Sequence, residues 1–158
     1  MTRLTGFIMG FIGLALSIPL VGYVISPALR RQERDWAEAG SLKEVTSGDP
    51  QPLSIVVTTQ DGWIRAATVR SVWAVQHPDG QVVVYAPLCT HLGCAYHWEQ
   101  PERKFFCPCH NGIYDIEGKV LSGPPPRPLD RLPVKVEQGR LYVIYKEFKS
   151  GTPEQIEL

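Results

Sequence analysis

Two short segments hold all four cysteines and two of the four histidines: Cys89-Thr90-His91-Leu92-Gly93-Cys94 and Cys107-Pro108-Cys109-His110. Together they offer sulfur and imidazole donors, a set suited to a soft or borderline transition metal. A structural zinc site takes four ligands, commonly from Cys-x2-4-Cys pairs. Here the spacings are Cys-x4-Cys and Cys-x-Cys, the second tight for one tetrahedral ion, and zinc would leave two of the donors idle. A dithiol redox pair needs Cys-x2-Cys, which the chain lacks. A Cys–His nucleophile would have no use for the second segment. A disulfide framework for a small secreted domain would scatter its cysteines along the chain instead of crowding them.

A 2Fe-2S cluster of mixed ligation accounts for every donor. One iron takes two thiolates, and the other takes two imidazoles in their place. Each segment supplies one Cys and one His, and one cysteine per segment is left over. A disulfide between the leftover pair would pin the two segments around the metal. Spacing alone does not say which cysteine in each segment binds iron. Of the other histidines, His97 lies off the pattern, and His77, in the turn His77-Pro78-Asp79-Gly80, is expected to be a solvated loop residue.

Both segments, at this separation, resemble the two boxes of the Rieske iron–sulfur proteins of cytochrome bc-type quinol oxidoreductases, and the similarity runs from about Val82 to Tyr145. The resemblance implies that Cys89 and Cys107 ligate one iron, that His91 and His110 ligate the other, and that Cys94 pairs with Cys109. Oxygenase-type Rieske ferredoxins usually lack those two disulfide cysteines, so their presence favours the quinol-oxidising branch. Family members often continue the second box as His-Gly-Ser-x-Tyr, with the Ser and Tyr hydroxyls donating to the cluster and a cysteine sulfur. Here the run is His110-Asn111-Gly112-Ile113-Tyr114, which keeps the phenol and loses the serine. Hydrogen bonds to sulfur favour the reduced, more negative cluster, so losing one lowers the potential. A low-potential centre suits menaquinol. Two plainer accounts stand beside this one: Gly112 as a turn glycine of positive φ, and Tyr114 as core packing.

By the same resemblance Gly123-Pro124-Pro125-Pro126 is the proline loop that covers the cluster, and Leu92 lies beside the metal in the first box. A histidine bound to ferric iron gives up its distal proton more readily and recovers it on reduction. His110 is therefore expected to meet the quinol and accept a proton with the electron, with His91 as its partner. The implied partners are a cytochrome b subunit, a c-type cytochrome and membrane quinol, in a dimeric multisubunit complex. A Rieske subunit of another redox complex (an arsenite oxidase small subunit or a plastoquinol-type complex) and a binding module around a structural metal remain the competing assignments.

The elements that must position these loops read as β. Leu53–Thr59, Val69–Gln76, Gln81–Tyr85, Leu132–Glu137 and Arg140–Tyr145 are short β-branched or aromatic runs, with turns at 77–80 and 138–139. The expected fold is all-β: a small antiparallel sandwich or barrel with inserted cluster-binding loops, preceded by one N-terminal transmembrane helix. The expected domains are an anchor over 1–29, a stem and flexible linker over 30–52, the 2Fe-2S domain over 53–150 with its cluster-binding part at about 86–128, and a frayed tail over 151–158. A hinge would lie between Glu38 and Pro50. Lys plus Arg and Asp plus Glu balance at 16 each, which argues against a nucleic-acid partner.

No charged residue occurs from Leu4 to Leu29. That run is too long for the apolar core of a cleaved signal peptide and sufficient to span a bilayer. Arg3 precedes it, and Arg30, Arg31 and Arg34 follow, so the positive-inside rule alone would leave the C-terminal domain in the cytoplasm. The resemblance implies the reverse: a single-pass protein of a bacterial cell membrane, N-terminus cytoplasmic, cluster domain on the outer face. A disulfide also favours that face. No twin-arginine pair precedes the span, so the export route is not identified by the sequence.

Overall fold

A computed structural model of the chain describes residues 2–29, 35–61 and 64–158. Residues 30–34, in the expected stem, lie outside the described residues. The chain forms two compact units, Met1–Glu33 with Thr58–Ala66, and Arg34–Val57 with Ala67–Leu158.

In the first unit, helix α1 (Thr2–Leu29) runs on through Pro19, and its side chains are exposed from Thr2 to Ile25. Its stretch Thr2–Ser26 is 25 residues long and apolar enough to cross a membrane. At about 1.5 Å per residue it outreaches a hydrocarbon core of roughly 30 Å. The hydroxyls of Ser17 and Ser26 donate back to the carbonyls of Leu14 and Tyr23, so the helix serves its own polar groups, as a lipid environment demands.

The second unit is all-β. After β1 (Ala37–Ser41) come β2 (Gln51–Asp61), β3 (Ile64–Gln76) and β4 (Val82–Tyr85); the last residues of β2 and the first of β3 belong to the first unit. Then follow β5 (His97–Glu99), β6 (Lys104–Cys107), β7 (Gly112–Tyr114) and β8 (Val120–Ser122). The chain closes with β9 (Arg131–Leu132), β10 (Val134–Glu137) and β11 (Arg140–Val143). The sheet orders are β1-β11-β10, β2-β3-β4-β9 and β5-β6-β7-β8, antiparallel in the registers described.

Strands β3 and β4 form a wall between two cores. Side chains alternate across a strand, so Val72, Ala74 and Val84 pack with Ile55, Leu132, Leu141 and Val143 on one side. Val75, Val83 and Tyr85 pack with Tyr96, Phe105, Tyr114, Leu129 and the cysteines Cys89 and Cys107 on the other. Both faces being covered explains why Val82-Val83-Val84-Tyr85 is continuously apolar. The chain leaves this wall at Ala86 and returns at Asp130, where Ala86 N–H donates to Asp130 O at 2.8 Å. Everything between is an insertion carried on the β base, and it contains both Cys/His segments.

Four expectations are corrected. The supposed linker 30–52 is largely folded from Ala37 onward: β1 pairs with β11, Ala39 and Val45 are buried, and Ser47 bridges Gln76. Its small residues (Ala-Glu-Ala-Gly-Ser) hid it, because an edge strand needs only one buried side chain here. The supposed frayed tail 151–158 folds back, with a bridge between Phe148 and Glu157 and backbone bonds Lys149 N–H to Ile156 O and Leu158 N–H to Glu147 O. His77 is not a solvated loop side chain; it is 13 % exposed, with Nδ1 3.3 Å from Glu117 Oε1. Gly112 is no turn glycine: it lies in β7, opposite Cys107, without positive φ.

Candidate metal centre

The first segment closes on itself. Cys89 N–H donates to Cys94 O at 2.8 Å, Gly93 N–H donates to Cys89 O at 2.9 Å, and Gly93 takes φ +76°, which glycine adopts without strain. The second segment is the turn between β6 and β7, from Cys107 to Gly112, with Asn111 at φ +55°. A disulfide joins Cys94 to Cys109 across the two. Cys89 and Cys107 are free thiols, each 2 % exposed, and belong to the same buried cluster. Burial pushes the Cys107 thiol above its ordinary range, with the Cys89 contact adding to it. The rings of His91 and His110 stand 4.8 Å apart and nearly perpendicular, His91 half-buried and His110 exposed. The site is thus graded, with sulfur inside and imidazole outside.

A tight grouping of Cys94, Cys107 and Cys109 sulfurs, within 4.8 Å of one another, invites reading as a metal triad. Two of the three are joined in the disulfide and offer no thiolate, so the triad is a packing consequence of the bridge.

Tyr114 lies fully buried behind the thiols, where its ring packs near Tyr96 and its hydroxyl sits 3.1 Å from Cys89 Sγ. Core packing and hydrogen bonding are therefore both its business. Thr90 N–H donates to that hydroxyl at 3.3 Å, and Thr90 Oγ1 lies 3.1 Å from it. The Thr90 hydroxyl donates to Arg127 O at 2.7 Å, which leaves the phenol proton to serve Cys89 Sγ and Thr90 Oγ1. Burial, then the contact with Cys89, holds the phenol well above its usual range, so it stays a donor.

The proline loop lies directly on the second segment. A β-carbon at Gly112 would be 2.9 Å from Pro125 Cγ, and one at Gly123, at φ +95°, would be 2.5 Å from Asn111 O. Pro125 is buried, whereas Gly123 and Pro124 are exposed, as is Leu92 at 62 %. The disulfide and these close approaches bring the two boxes and the proline loop together within the second unit.

Residues that the motifs did not single out complete the surroundings. Thr90 is buried, and Arg127 and Asp130 form a buried ion pair at 2.8 Å. Tyr96 donates to Ala86 O at 2.6 Å, at the foot of the insertion. The signal for Arg127 was available: a lone arginine between Pro126 and Pro128 with an acid three residues on.

Two buried free thiols, two imidazoles face to edge and a disulfide clamp fit a 2Fe-2S cluster of mixed ligation and define a Rieske-type centre. The chain belongs to that family: residues 35–136 match the model described as "Rieske [2Fe-2S] domain", and the cofactor is the family's 2Fe-2S cluster. The chain is 33 % identical over 139 residues to the menaquinol:cytochrome c reductase iron-sulfur subunit of Geobacillus thermodenitrificans, covering 85 % of this chain and 82 % of that one. It is 34 % identical to the subunit of the same name from Bacillus subtilis, with the same coverage. Among solved structures it resembles a chain of a hyperthermophilic respiratory complex III, with a TM-score of 0.52 and 25 % identity over 86 % of this chain and 98 % of that one.

Proposed function

We propose that this chain is the iron–sulfur subunit of a cytochrome bc-type complex, taking an electron and a proton from menaquinol and passing the electron to a c-type cytochrome. The observation that carries this is the graded tip: buried thiols Cys89 and Cys107 behind, His91 and His110 at the surface, held by Cys94–Cys109. Relatives named as menaquinol:cytochrome c reductase subunits support the choice of quinol. In this assignment Cys89 and Cys107 bind one iron and His91 and His110 the other.

The cluster, when bound, supplies a one-electron acceptor whose charge falls on reduction. The chain's own groups do the rest. His110, exposed at the tip, presents its distal nitrogen to the quinol hydroxyl and takes the proton; His91 stands beside it. Leu92 offers an apolar contact against a cytochrome b surface around that nitrogen. Tyr114 donates toward Cys89 Sγ, which favours the reduced state. Pro125 and its neighbours, lacking N–H donors, screen the sulfur end from water. The subunit performs no catalysis alone.

Helix α1 anchors the chain as a single span with its N-terminus in the cytoplasm, and the cluster domain lies on the outer face, within a dimeric assembly. The oxidising outer side preserves the disulfide. Residues 38–50, the expected hinge, are held in the fold by the pairing of β1 with β11, the burial of Val45 and the bridge at Ser47.

Purification from membranes, with iron and acid-labile sulfide analysis, the Rieske EPR signal, haem spectra and a menaquinol assay, tests the assignment. A colourless chain holding zinc sinks it. A redox titration tests the quinol: a midpoint as high as in ubiquinol-type centres rejects menaquinol. Gly112→Ser should raise the midpoint by restoring a donor near sulfur, provided Pro125 yields the space.

A further inference from the structure

The C-terminal segment touches the first Cys/His loop, a contact that the motifs do not use. Gly151 N–H donates to Thr90 O at 2.9 Å. A β-carbon at Gly151, which holds φ +75°, would lie 3.3 Å from His91 O, and one at Gly93 would lie 3.3 Å from Ser150 Oγ. The segment runs along the backbone that carries His91.

One buried side chain grips this segment. Arg127, 6 % exposed, sends Nη1 to Thr152 O at 2.6 Å and to Thr152 Oγ1 at 3.1 Å, and Nη2 to Lys149 O at 2.9 Å. Nε and Nη2 also form a forked pair with Asp130 at 2.9 and 2.8 Å. The Arg127 carbonyl, in turn, accepts from Thr90 Oγ1 at 2.7 Å. Thr90 is therefore fixed on two sides: its side chain by the Arg127 backbone, and its carbonyl by a segment that the Arg127 side chain holds. The guanidinium uses its five donors on both carboxylate oxygens of Asp130, two carbonyls and the Thr152 hydroxyl at once; a lysine ammonium, with three donors on one atom, cannot make all five bonds.

We propose that residues 149–152 form a strap, closed by Arg127, that positions the Cys89–Cys94 loop and so governs how firmly the cluster is kept. Arg127 is a positioning residue, two steps removed from the metal: it acts on Thr90, which lies between the ligands Cys89 and His91 and shares the Tyr114 hydroxyl with Cys89 Sγ. The inference rests on the ligand assignment made above for Cys89 and His91. It gives the folded-back end of the chain a role that a mere surface tail would lack.

The test uses the full chain in detergent with three variants: Arg127→Lys, which keeps a charge for Asp130 but loses the fork; Gly151→Ala, which strains the contact with the loop; and Glu154→Ala, an exposed control on the same segment. The cluster's visible circular-dichroism band is followed at fixed temperature beside the far-ultraviolet β signal, and the EPR line shape and midpoint are recorded. Arg127→Lys is expected to lose cluster about tenfold faster, Gly151→Ala severalfold faster, and Glu154→Ala at the parent rate, given the usual worth of one or two hydrogen bonds. In the first two the EPR signal should broaden while the β signal persists. Cluster loss at the parent rate in both overturns the strap. So does simultaneous loss of cluster and β signal at one shifted temperature with unaltered EPR, which is what general destabilisation produces. Amide exchange over residues 88–95 judges the strap even if the unaltered chain proves to hold no cluster, an outcome that would sink the functional assignment instead. Faster exchange there in the first two variants, with the sheets unchanged, upholds it; exchange equal to the parent's rejects it.

Discussion

A β-carbon at Gly112 would meet Pro125 Cγ at 2.9 Å and Cys107 Cβ at 3.5 Å, so redox tuning and packing compete for one small space. A serine here gains a donor and overpacks the proline loop, whereas alanine isolates the packing part. Gly112→Ala should lower unfolding free energy by about 1–3 kcal/mol, the usual cost of an added methyl in a tight core. Pro125→Ala should relieve most of it, giving a coupling between the two that denaturant titration of the four proteins will show. An equal cost with and without Pro125 would mean that the contact is not the cause. Behind the thiols, Tyr114→Phe removes a buried hydroxyl that Thr90 N–H uses as its acceptor, costing about 1–3 kcal/mol. The same change should lower the midpoint. The phenol is held far above its ordinary range and stays protonated through neutral pH, so the difference in midpoint between the variant and its parent should not vary there. The motif made Gly112 and Tyr114 visible as residues. It could not show why glycine stands at 112, because the answer is a ring that approaches from a loop distant in sequence.

At the scale of elements, the two Cys/His loops hang from different pairs of short strands and are tied to each other by Cys94–Cys109, a sequence separation of 15. Closing a loop of that size restricts the unfolded chain by about 3 kcal/mol on the loop-entropy model. Replacing both cysteines by serine should therefore lower unfolding free energy by about that amount and quicken cluster loss. Guanidinium titrations of the parent with and without a thiol reductant should show the same difference; equal midpoints would mean that the β base alone holds the loops together. The strands that carry the base were legible because they are apolar in period two or continuously: Leu53–Thr59 falls inside β2, Val69–Gln76 inside β3, and the closing hairpin falls on β10 and β11. Strands β5 to β8 were not, being three or four residues each and interleaved with the Cys/His segments. Their register is set by what they pack against: Trp98 and Tyr96 against Phe105, and Phe105 against Tyr85 of the wall.

For the whole molecule, the question is where the folded body begins, because that fixes how much chain is left to act as a tether. Composition placed the boundary at Leu53, where β-branched residues begin. The stretch 37–52 holds just two such residues, Val45 and Thr46, and still belongs to the body, as does the C-terminal end: an edge strand and a fold-back are held by backbone bonds, which leave little trace in side-chain types. Gly40 sits in β1 opposite Leu141 at φ +109°, a conformation closed to proline, whose ring holds φ near −65°. If residues 38–50 were a linker, Gly40→Pro would stiffen it, slow electron delivery to haem and leave the thermal midpoint of the cluster domain untouched. With β1 in the sheet, the substitution must detach the strand from β11 and uncover Ala39 and Leu141, which lie in the core they share with Val72 and Val84. The expected outcome is a loss of at least about 1 kcal/mol in stability, seen as a lower midpoint in calorimetry, with the cluster's redox potential preserved in the molecules that remain folded. An unchanged thermal midpoint accompanied by slower haem reduction would return residues 38–50 to the tether.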